Sequence, residues 1–240
     1  LAMVTQGSYN PNDRSQLSAE NLRNKAITDL FEPGSTMKPL TIAAALESGE
    51  YTVNSTIDTS PGFRRFGRFT IRDHRNYGVL DLTEIIVKSS NVGVSNIATD
   101  LGGDTLRNLY ARLGLGQATG IGFPGEAVGV LPAPPKWRPV EESTLSYGYG
   151  MSVNALQLAQ AYMVIANGGI RYPLSLMRQE QRPQGQRVLS EQVTRAVRDM
   201  LKQAVARGTG KRAQPGLYAA GGKTGTVHLV GANGYEDSQY

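Results

Sequence analysis

The sequence predicts an α+β fold, with helices in the middle of the chain and strands towards both ends. Apolar residues recur at helical spacing over central segments such as 154–167 and 190–208. Short alternating runs bounded by Gly and Pro occupy 51–78, and a segment with Thr, Val and glycines follows at 218–230. We expect the end strands, beginning with residues 1–5, to share one antiparallel sheet flanked by the helices.

The first part of the chain contains two expected helices. A short one is expected within 18–30. The second begins at Ser35, directly after the loop residues Pro33 and Gly34, and its Ala-rich run ends at Gly49.

Capping residues mark the next helices. Asp81 with Glu84 three residues later is typical of a helix start, and that helix is expected to break at 89–91. Helical periodicity then resumes as far as Leu101, and a further helix is expected over 104–113.

A long segment rich in Gly and Pro, 114–137, precedes the last two helices, and we expect an ordered loop there. Asn154 with Gln157 predicts the start of the next helix, and Ser190 predicts the start of the last one.

Composition excludes several kinds of chemistry. The 240 residues contain no cysteine, which excludes disulfides, thiol catalysis and thiolate metal sites. Only two histidines are present, which disfavours a His-based metal site or a Ser-His-Asp triad, and we expect no cofactor. The net charge of +5 suits acidic substrates. No run of about 18 apolar residues occurs.

Ser35 and Lys38 form the first candidate catalytic pair, because three residues place them on one helical face. A serine hydroxyl is a poor nucleophile until a base takes its proton. A lysine can be that base if burial or another cation lowers its pKa. The pattern is weak alone, since a chain of this length contains about one Ser-x-x-Lys by chance.

Two further motifs strengthen the argument. Ser89-Ser90-Asn91 lies at the expected helix break, where a hydroxyl could relay a proton to a leaving group and an amide could bind a carbonyl. Lys223-Thr224-Gly225-Thr226 lies on the expected late strand, where it supplies a positive charge, two hydroxyl donors and a glycine that lets substrate approach the backbone.

These three motifs, in this order, form the signature of penicillin-binding proteins and class A β-lactamases. The chain resembles class B penicillin-binding proteins along nearly its whole length, and most closely the division-specific peptidoglycan D,D-transpeptidases of Gram-negative bacteria. The segments that carry the resemblance are 31–39, 88–93, 122–126, 147–150 and 222–226.

The resemblance implies a fold shared with the serine β-lactamases: an antiparallel sheet flanked by helices, plus an all-helical part. We expect residues 1–240 to be a transpeptidase domain truncated at both ends, with an incomplete sheet, within a larger parent protein. The family implies a periplasmic catalytic domain, anchored in the inner membrane by a segment absent from this chain.

The resemblance also implies a mechanism. Ser35 attacks the penultimate D-alanine carbonyl of a stem peptide, and Lys38 takes its proton. Ser89 relays a proton to the leaving D-alanine, and Asn91 holds the amide of the donor peptide.

The remaining implied roles concern negative charge. The backbone N–H groups of Ser35 and Thr226 would form the oxyanion hole. Lys223, Thr224 and Thr226 would bind the terminal carboxylate of the peptide, or the acid of a β-lactam, beside Gly225.

The implied partners are peptidoglycan stem peptides, an amine acceptor, β-lactam antibiotics and divisome proteins, including a membrane glycosyltransferase. Two alternatives share the fold: a serine β-lactamase and a non-catalytic β-lactam sensor. No Glu-x-x-x-Asn pattern lies between Asn91 and Lys223, which disfavours the β-lactamase. Arginines interleaved with aromatic residues over 63–77 resemble a nucleic-acid patch, but acidic residues interrupt them and we expect no nucleic acid to bind.

Overall fold

The computed structural model describes residues 3–5, 9–13, 15, 18–19, 21–181, 183–225, 229–231 and 234–236. Two 3-10 turns, Gly34–Met37 and Lys211–Ala213, accompany the helices and strands. The helices are α1 Lys25–Thr28, α2 Lys38–Ser48, α3 Leu82–Lys88, α4 Asn91–Leu101, α5 Gly103–Arg112, α6 Pro139–Ser146, α7 Ala155–Ala166 and α8 Glu191–Arg207. The strands are β1 Thr56–Asp58, β2 Phe63–Phe66, β3 Phe69–Arg72, β4 Val79–Asp81, β5 Ile170–Arg171, β6 Gln186–Arg187, β7 Leu229–Gly231 and β8 Gly234–Glu236.

Helix α2 lies at the centre of the core. Its residues from Lys38 to Ala45 are all buried, and it packs against α4, α5 and α8. It ends at Gly49, whose φ of +80° gives the left-handed cap that the sequence predicts. Ser35 lies one turn earlier than α2, in the 3-10 turn that leads into it.

Local hydrogen bonds confirm the predicted helix starts. The Asp81 side chain accepts from the Glu84 N–H at the start of α3, and Ser190 accepts from Val193 at the start of α8. Asn154 forms the reciprocal capping box with Gln157 at the start of α7.

The segment between α5 and α6 is an ordered loop, as predicted. The Gln157 amide donates to the carbonyl oxygens of Gln117 and Val128, at 2.6 and 2.7 Å. The Asn154 amide donates to the carbonyl oxygen of Ala127 at 2.8 Å. The start of α7 therefore holds the loop in place.

Each strand pairs with one antiparallel neighbour: β1 with β4, β2 with β3, β5 with β6, and β7 with β8. The combination of helices and small antiparallel sheets agrees with the predicted α+β class. The shared sheet expected between the two ends is not formed within the described residues, where 3–5 are irregular.

Two predicted elements are much shorter in the structure than the sequence predicts. The helix expected within 18–30 is only the four-residue α1. The strand expected over 218–230 appears only at its end, in β7, and residues 221–225 are irregular. Three glycines in 221–225 weaken strand propensity, and no partner strand lies beside the segment within the described residues. None of the described helices is long and apolar enough to cross a membrane.

Candidate active site

The turn that carries Ser35 is clamped by the segment 147–150. The Gly34 N–H donates to the Gly148 carbonyl oxygen at 3.2 Å, and the Gly150 N–H donates to Glu32 Oε1 at 2.8 Å. Gly148 has φ +82°, and a Cβ at this position would overlap the backbone of Gly34. On the other side, the Tyr162 hydroxyl donates to the Thr36 carbonyl oxygen at 2.7 Å. Ser35 is therefore held by contacts from outside its own turn.

Lys38 is a buried amine in contact with the helix break. It is only 1% exposed, and its Nζ donates to the Ser89 carbonyl oxygen at 2.6 Å and to Ser89 Oγ at 3.0 Å. Burial, assisted by the nearby charge of Lys223, holds the pKa of Lys38 well below its usual value, while Asp73 acts in the opposite direction. A lysine in this environment is well suited to act as a base.

Ser89 joins Lys38 to Ser35. Its φ of +57° ends α3 in the left-handed conformation, which is rare for a residue other than glycine. In this conformation its hydroxyl donates to Ser35 Oγ at 3.4 Å while accepting from Lys38. The described hydrogen bonds therefore run from Lys38 through Ser89 to Ser35.

Asp73, which follows β3, fixes the other side of the break. Its carboxylate accepts from Ser90 Oγ at 2.6 Å and from the N–H groups of Asn91 and Val92, at 2.6 and 3.0 Å. Asn91 in turn donates its side-chain amide to the Arg72 carbonyl oxygen at 3.0 Å. Ser90, rather than Ser89 or Asn91, caps α4 through the Gly93 N–H. Sequence reasoning missed Asp73.

The segment with Lys223, Thr224 and Gly225 passes beside the Ser35 turn. A Cβ added to Gly225 would lie 3.1 Å from Thr36 Cγ2, so the Gly225 backbone lies close to the Thr36 side chain. Burial lowers the pKa of Lys223 to about 8. The Thr224 hydroxyl donates to the hydroxyl of Thr209 at 2.9 Å, which places Thr224 at the cavity.

Five of the predicted residues, Ser35, Lys38, Ser89, Asn91 and Thr224, line one cavity of about 380 Å³. Lys223 and Gly225 are not among the lining residues, but the Lys223 charge acts on Lys38 and Gly225 lies beside the Thr36 side chain. Thr226 and His228 lie outside the described residues. The lining residues are Ser35, Lys38, Arg72, Asp73, His74, Ser89, Asn91, Tyr149, Thr209 and Thr224.

The cavity brings together a serine hydroxyl, a buried amine and cationic groups, which are the kinds of group that acyl transfer uses. Sequence reasoning did not identify Arg72, His74 and Thr209 as members of this cavity. Each lies at the end of an element or in a loop, and no local motif marks it.

Comparison with known proteins identifies the fold and its family. All 240 residues match the family described as the penicillin binding protein transpeptidase domain. The chain belongs to this transpeptidase family.

Members of the transpeptidase family with curated names are similar over the whole chain. Peptidoglycan D,D-transpeptidase FtsI of Escherichia coli K12 is 41% identical over 241 residues. The probable peptidoglycan D,D-transpeptidase PbpC of Pseudomonas aeruginosa is 38% identical over 242 residues. Both alignments cover 100% of this chain, but only 41% of the former and 43% of the latter. The chain thus spans about two fifths of these relatives.

Solved structures of the transpeptidase family share the fold. The apo transpeptidase domain of Burkholderia pseudomallei penicillin-binding protein 3 superposes with a TM-score of 0.84 at 40% identity. The match covers 89% of this chain and 66% of that one. A structure described as a peptidoglycan glycosyltransferase from Burkholderia ambifaria gives a TM-score of 0.83 at 40% identity, covering 86% and 66%. The predicted fold class is confirmed.

Proposed function

We propose that this chain is the catalytic domain of a peptidoglycan D,D-transpeptidase that cross-links stem peptides through an acyl-enzyme on Ser35. The observation that carries the proposal is the hydrogen-bonded path from buried Lys38 through Ser89 to Ser35. The names of the relatives support the same reaction.

Acylation begins with the proton of Ser35. In the structure the donors point from Lys38 towards Ser35, so both hydroxyls must turn before acylation. With the lowered pKa of Lys38, its neutral amine then accepts a proton: Ser35 gives its proton to Ser89 as Ser89 gives its own to Lys38. Ser35 Oγ attacks the carbonyl of the penultimate D-alanine and forms a tetrahedral intermediate. The N–H of Ser35, in the turn that leads into α2, would stabilise the oxyanion, and the family resemblance assigns the second N–H to Thr226.

The leaving group departs by the reverse proton path. Lys38, now protonated, returns the proton through Ser89 to the nitrogen of the terminal D-alanine as its amide bond breaks. An ester between Ser35 and the remaining peptide is formed. Asn91, whose amide is held at the cavity by Arg72, orients the donor peptide through its backbone amide.

The terminal carboxylate of the donor is bound by Lys223 and Thr224, with Thr226 assigned by resemblance. Lys223 remains largely protonated at neutral pH, since its pKa is about 8. The same groups receive the carboxylate of a β-lactam, whose ring opens onto Ser35 in the equivalent step. An amine from a second stem peptide then attacks the ester and forms the new amide, while its proton passes to Ser35 Oγ and restores the free hydroxyl.

The cellular setting is also part of the proposal. The resemblance to division-specific transpeptidases supports a septal role, with divisome proteins and a membrane glycosyltransferase as partners. It equally supports a periplasmic domain held at the inner membrane by another part of the parent protein.

Intact-mass measurement after incubation with benzylpenicillin tests the proposal. We expect a stable, stoichiometric adduct on the wild-type chain and none on Ser35→Ala. Ser48→Ala, which changes another serine of the same helical region, should be acylated like wild type. Hydrolysed penicillin without an adduct would indicate a β-lactamase instead. Intact penicillin without an adduct would contradict acyl-enzyme formation on Ser35.

A further inference from the structure

The hairpin of β2 and β3 presents two arginines on one aromatic ring. The register pairs Phe63 with Arg72 and Arg65 with Thr70, so these four side chains share one face of the hairpin. The Cζ atoms of Arg65 and Arg72 lie 5.4 and 5.5 Å from the centroid of the Phe63 ring. We call Arg65, Phe63 and Arg72 the arginine row. Stacking on the ring restricts both guanidinium groups.

The arginine row begins at the candidate active site. Arg72 lines the cavity together with Ser35 and Asn91. Its carbonyl oxygen accepts from the Asn91 side chain, and the next residue, Asp73, clamps the start of α4. The end of β3 is therefore attached to the helix break, which fixes the row relative to the reacting serine.

The carboxylates nearest in sequence are turned to other partners. Asp58 accepts from the Ser60 N–H at 2.8 Å, and Asp73 is occupied by the start of α4. Across the parts of the chain that the structure describes, neither Arg65 nor Arg72 forms an ion pair with a carboxylate. Both side chains are exposed. The row therefore offers two positive charges whose counter-charge is not supplied by the described residues.

The chemistry of the row fits a carboxylate. A guanidinium group offers paired N–H donors that match the two oxygens of a carboxylate. In the proposed function Lys223 and Thr224 bind the terminal carboxylate of the substrate, so a carboxylate of the same molecule at Arg72 would be a second acidic group. The row contains two arginines and extends from the wall of the cavity. This shape suits an extended peptide ligand better than a flat ligand such as a membrane surface.

We propose that Arg65 and Arg72 bind a second carboxylate of the peptide substrate, upstream of the reacting carbonyl. This inference rests on the proposed function of the cavity. The arginine row would select acidic donor peptides and help to position their chain beside Asn91.

Two synthetic peptides ending in D-Ala-D-Ala provide the test, one with an upstream glutamate and the other with glutamine at that position. Release of D-alanine by the full chain measures KM and kcat for each peptide. We expect wild type to have a KM about twofold to fivefold lower for the glutamate peptide, since an exposed charge pair contributes about this much. The preference should shrink as salt is added.

The variant Arg65→Gln/Arg72→Gln should lose this preference, with equal KM for both peptides. Arg68→Gln is the matched control, because it removes the same charge from the same hairpin while the Arg68 guanidinium lies over Phe69 at the turn. It should keep the wild-type preference. Equal weakening of both peptides in the double variant, or no preference in wild type, would overturn the proposal.

Two other outcomes separate the explanations. Binding to phosphatidylglycerol vesicles that requires Arg65 and Arg72, with the peptide preference unchanged, would assign the row to an anionic membrane and overturn the proposal. If the proposed function were wrong, wild type would release D-alanine from neither peptide and would form no penicillin adduct. That result would contradict both the transpeptidase function and the role of the arginine row.

Discussion

Replacing Asp73 with alanine should destabilise the fold and slow the acylation of Ser35. The Asp73 carboxylate receives three hydrogen bonds: one from Ser90 Oγ and two from the backbone N–H groups of Asn91 and Val92. Hydrogen bonds to charged groups contribute about 1.5–3 kcal/mol each, and loss of a helix cap costs about 1 kcal/mol. Water can replace part of these bonds, because Asp73 is half-buried. We expect a loss of about 3 kcal/mol in the free energy of unfolding.

Asp73→Asn keeps a hydrogen-bond acceptor at this position but removes the negative charge. Its amide oxygen can still accept from the backbone N–H groups of Asn91 and Val92, but the Ser90 hydroxyl loses its carboxylate partner. We expect a loss of about 1 kcal/mol, the usual value of one hydrogen bond. The acylation rate at its optimum should fall less than in Asp73→Ala.

The pH profile gives a second readout. The negative charge of Asp73 raises the pKa of Lys38 against the stronger effects of burial and Lys223. Removing that charge lowers the pKa of Lys38 further, so the neutral base persists to lower pH. The acid limb of the acylation rate against pH should therefore move to lower pH in Asp73→Asn. A purely structural role for Asp73 would leave the limb in place.

Urea unfolding and stopped-flow acylation by a chromogenic cephalosporin measure the two effects. Asp58→Ala is the matched control, because that exposed aspartate accepts from the Ser60 N–H and lies apart from the break; its cost should stay under about 1 kcal/mol. A stability of Asp73→Ala equal to that of the control, or an unmoved acid limb in Asp73→Asn, would refute the reasoning.

Three further predictions concern other parts of the site. Gly148→Ala should cost about 3 kcal/mol or more in urea unfolding, because a Cβ would overlap Gly34 at a φ of +82°, whereas Gly150→Ala has free space and should cost about 1 kcal/mol; equal costs would contradict the clamp. The second-order rate of acylation should fall as pH rises through about 8, where Lys223 loses its charge, and Lys223→Arg should move the fall to higher pH; an unmoved fall would exclude Lys223 as its cause. The free energy of unfolding should rise with pH between the lowered pKa of Lys38 and 10.5, because in that range Lys38 is protonated in the unfolded state and neutral in the folded state. Lys38→Met should flatten this rise and abolish acylation, and its stability at neutral pH should be unchanged or higher. If the free energy of unfolding of Lys38→Met rose with pH as steeply as that of wild type, other groups would be its cause.

The helix starts could be predicted because their physics is local. The caps at Asp81, Asn154 and Ser190 each bond to an N–H three residues later, so the whole interaction lies within one short stretch of sequence. Gly49 was found in the same way, from its place after an apolar helix.

The assembly of the site could not be derived from local patterns. Lys38 and Ser89 are 51 residues apart, and Asp73 bonds to residues 17 to 19 positions away, so no spacing rule joins them. The three motifs, and the family resemblance that rests on them, did not identify Asp73. The strand expected over 218–230 forms only at its end for a related reason: a strand requires a partner, which propensity alone does not provide.

Cross-linking tests the central claim most directly. A donor peptide ending in D-Ala-D-Ala is incubated with an amine acceptor and either wild type or Ser35→Ala, and the products are identified by mass spectrometry. We expect wild type to release one D-alanine for each new donor–acceptor amide, and Ser35→Ala to form neither product. Acylation by penicillin without any cross-linked product would instead indicate a β-lactam sensor and contradict the transpeptidase assignment.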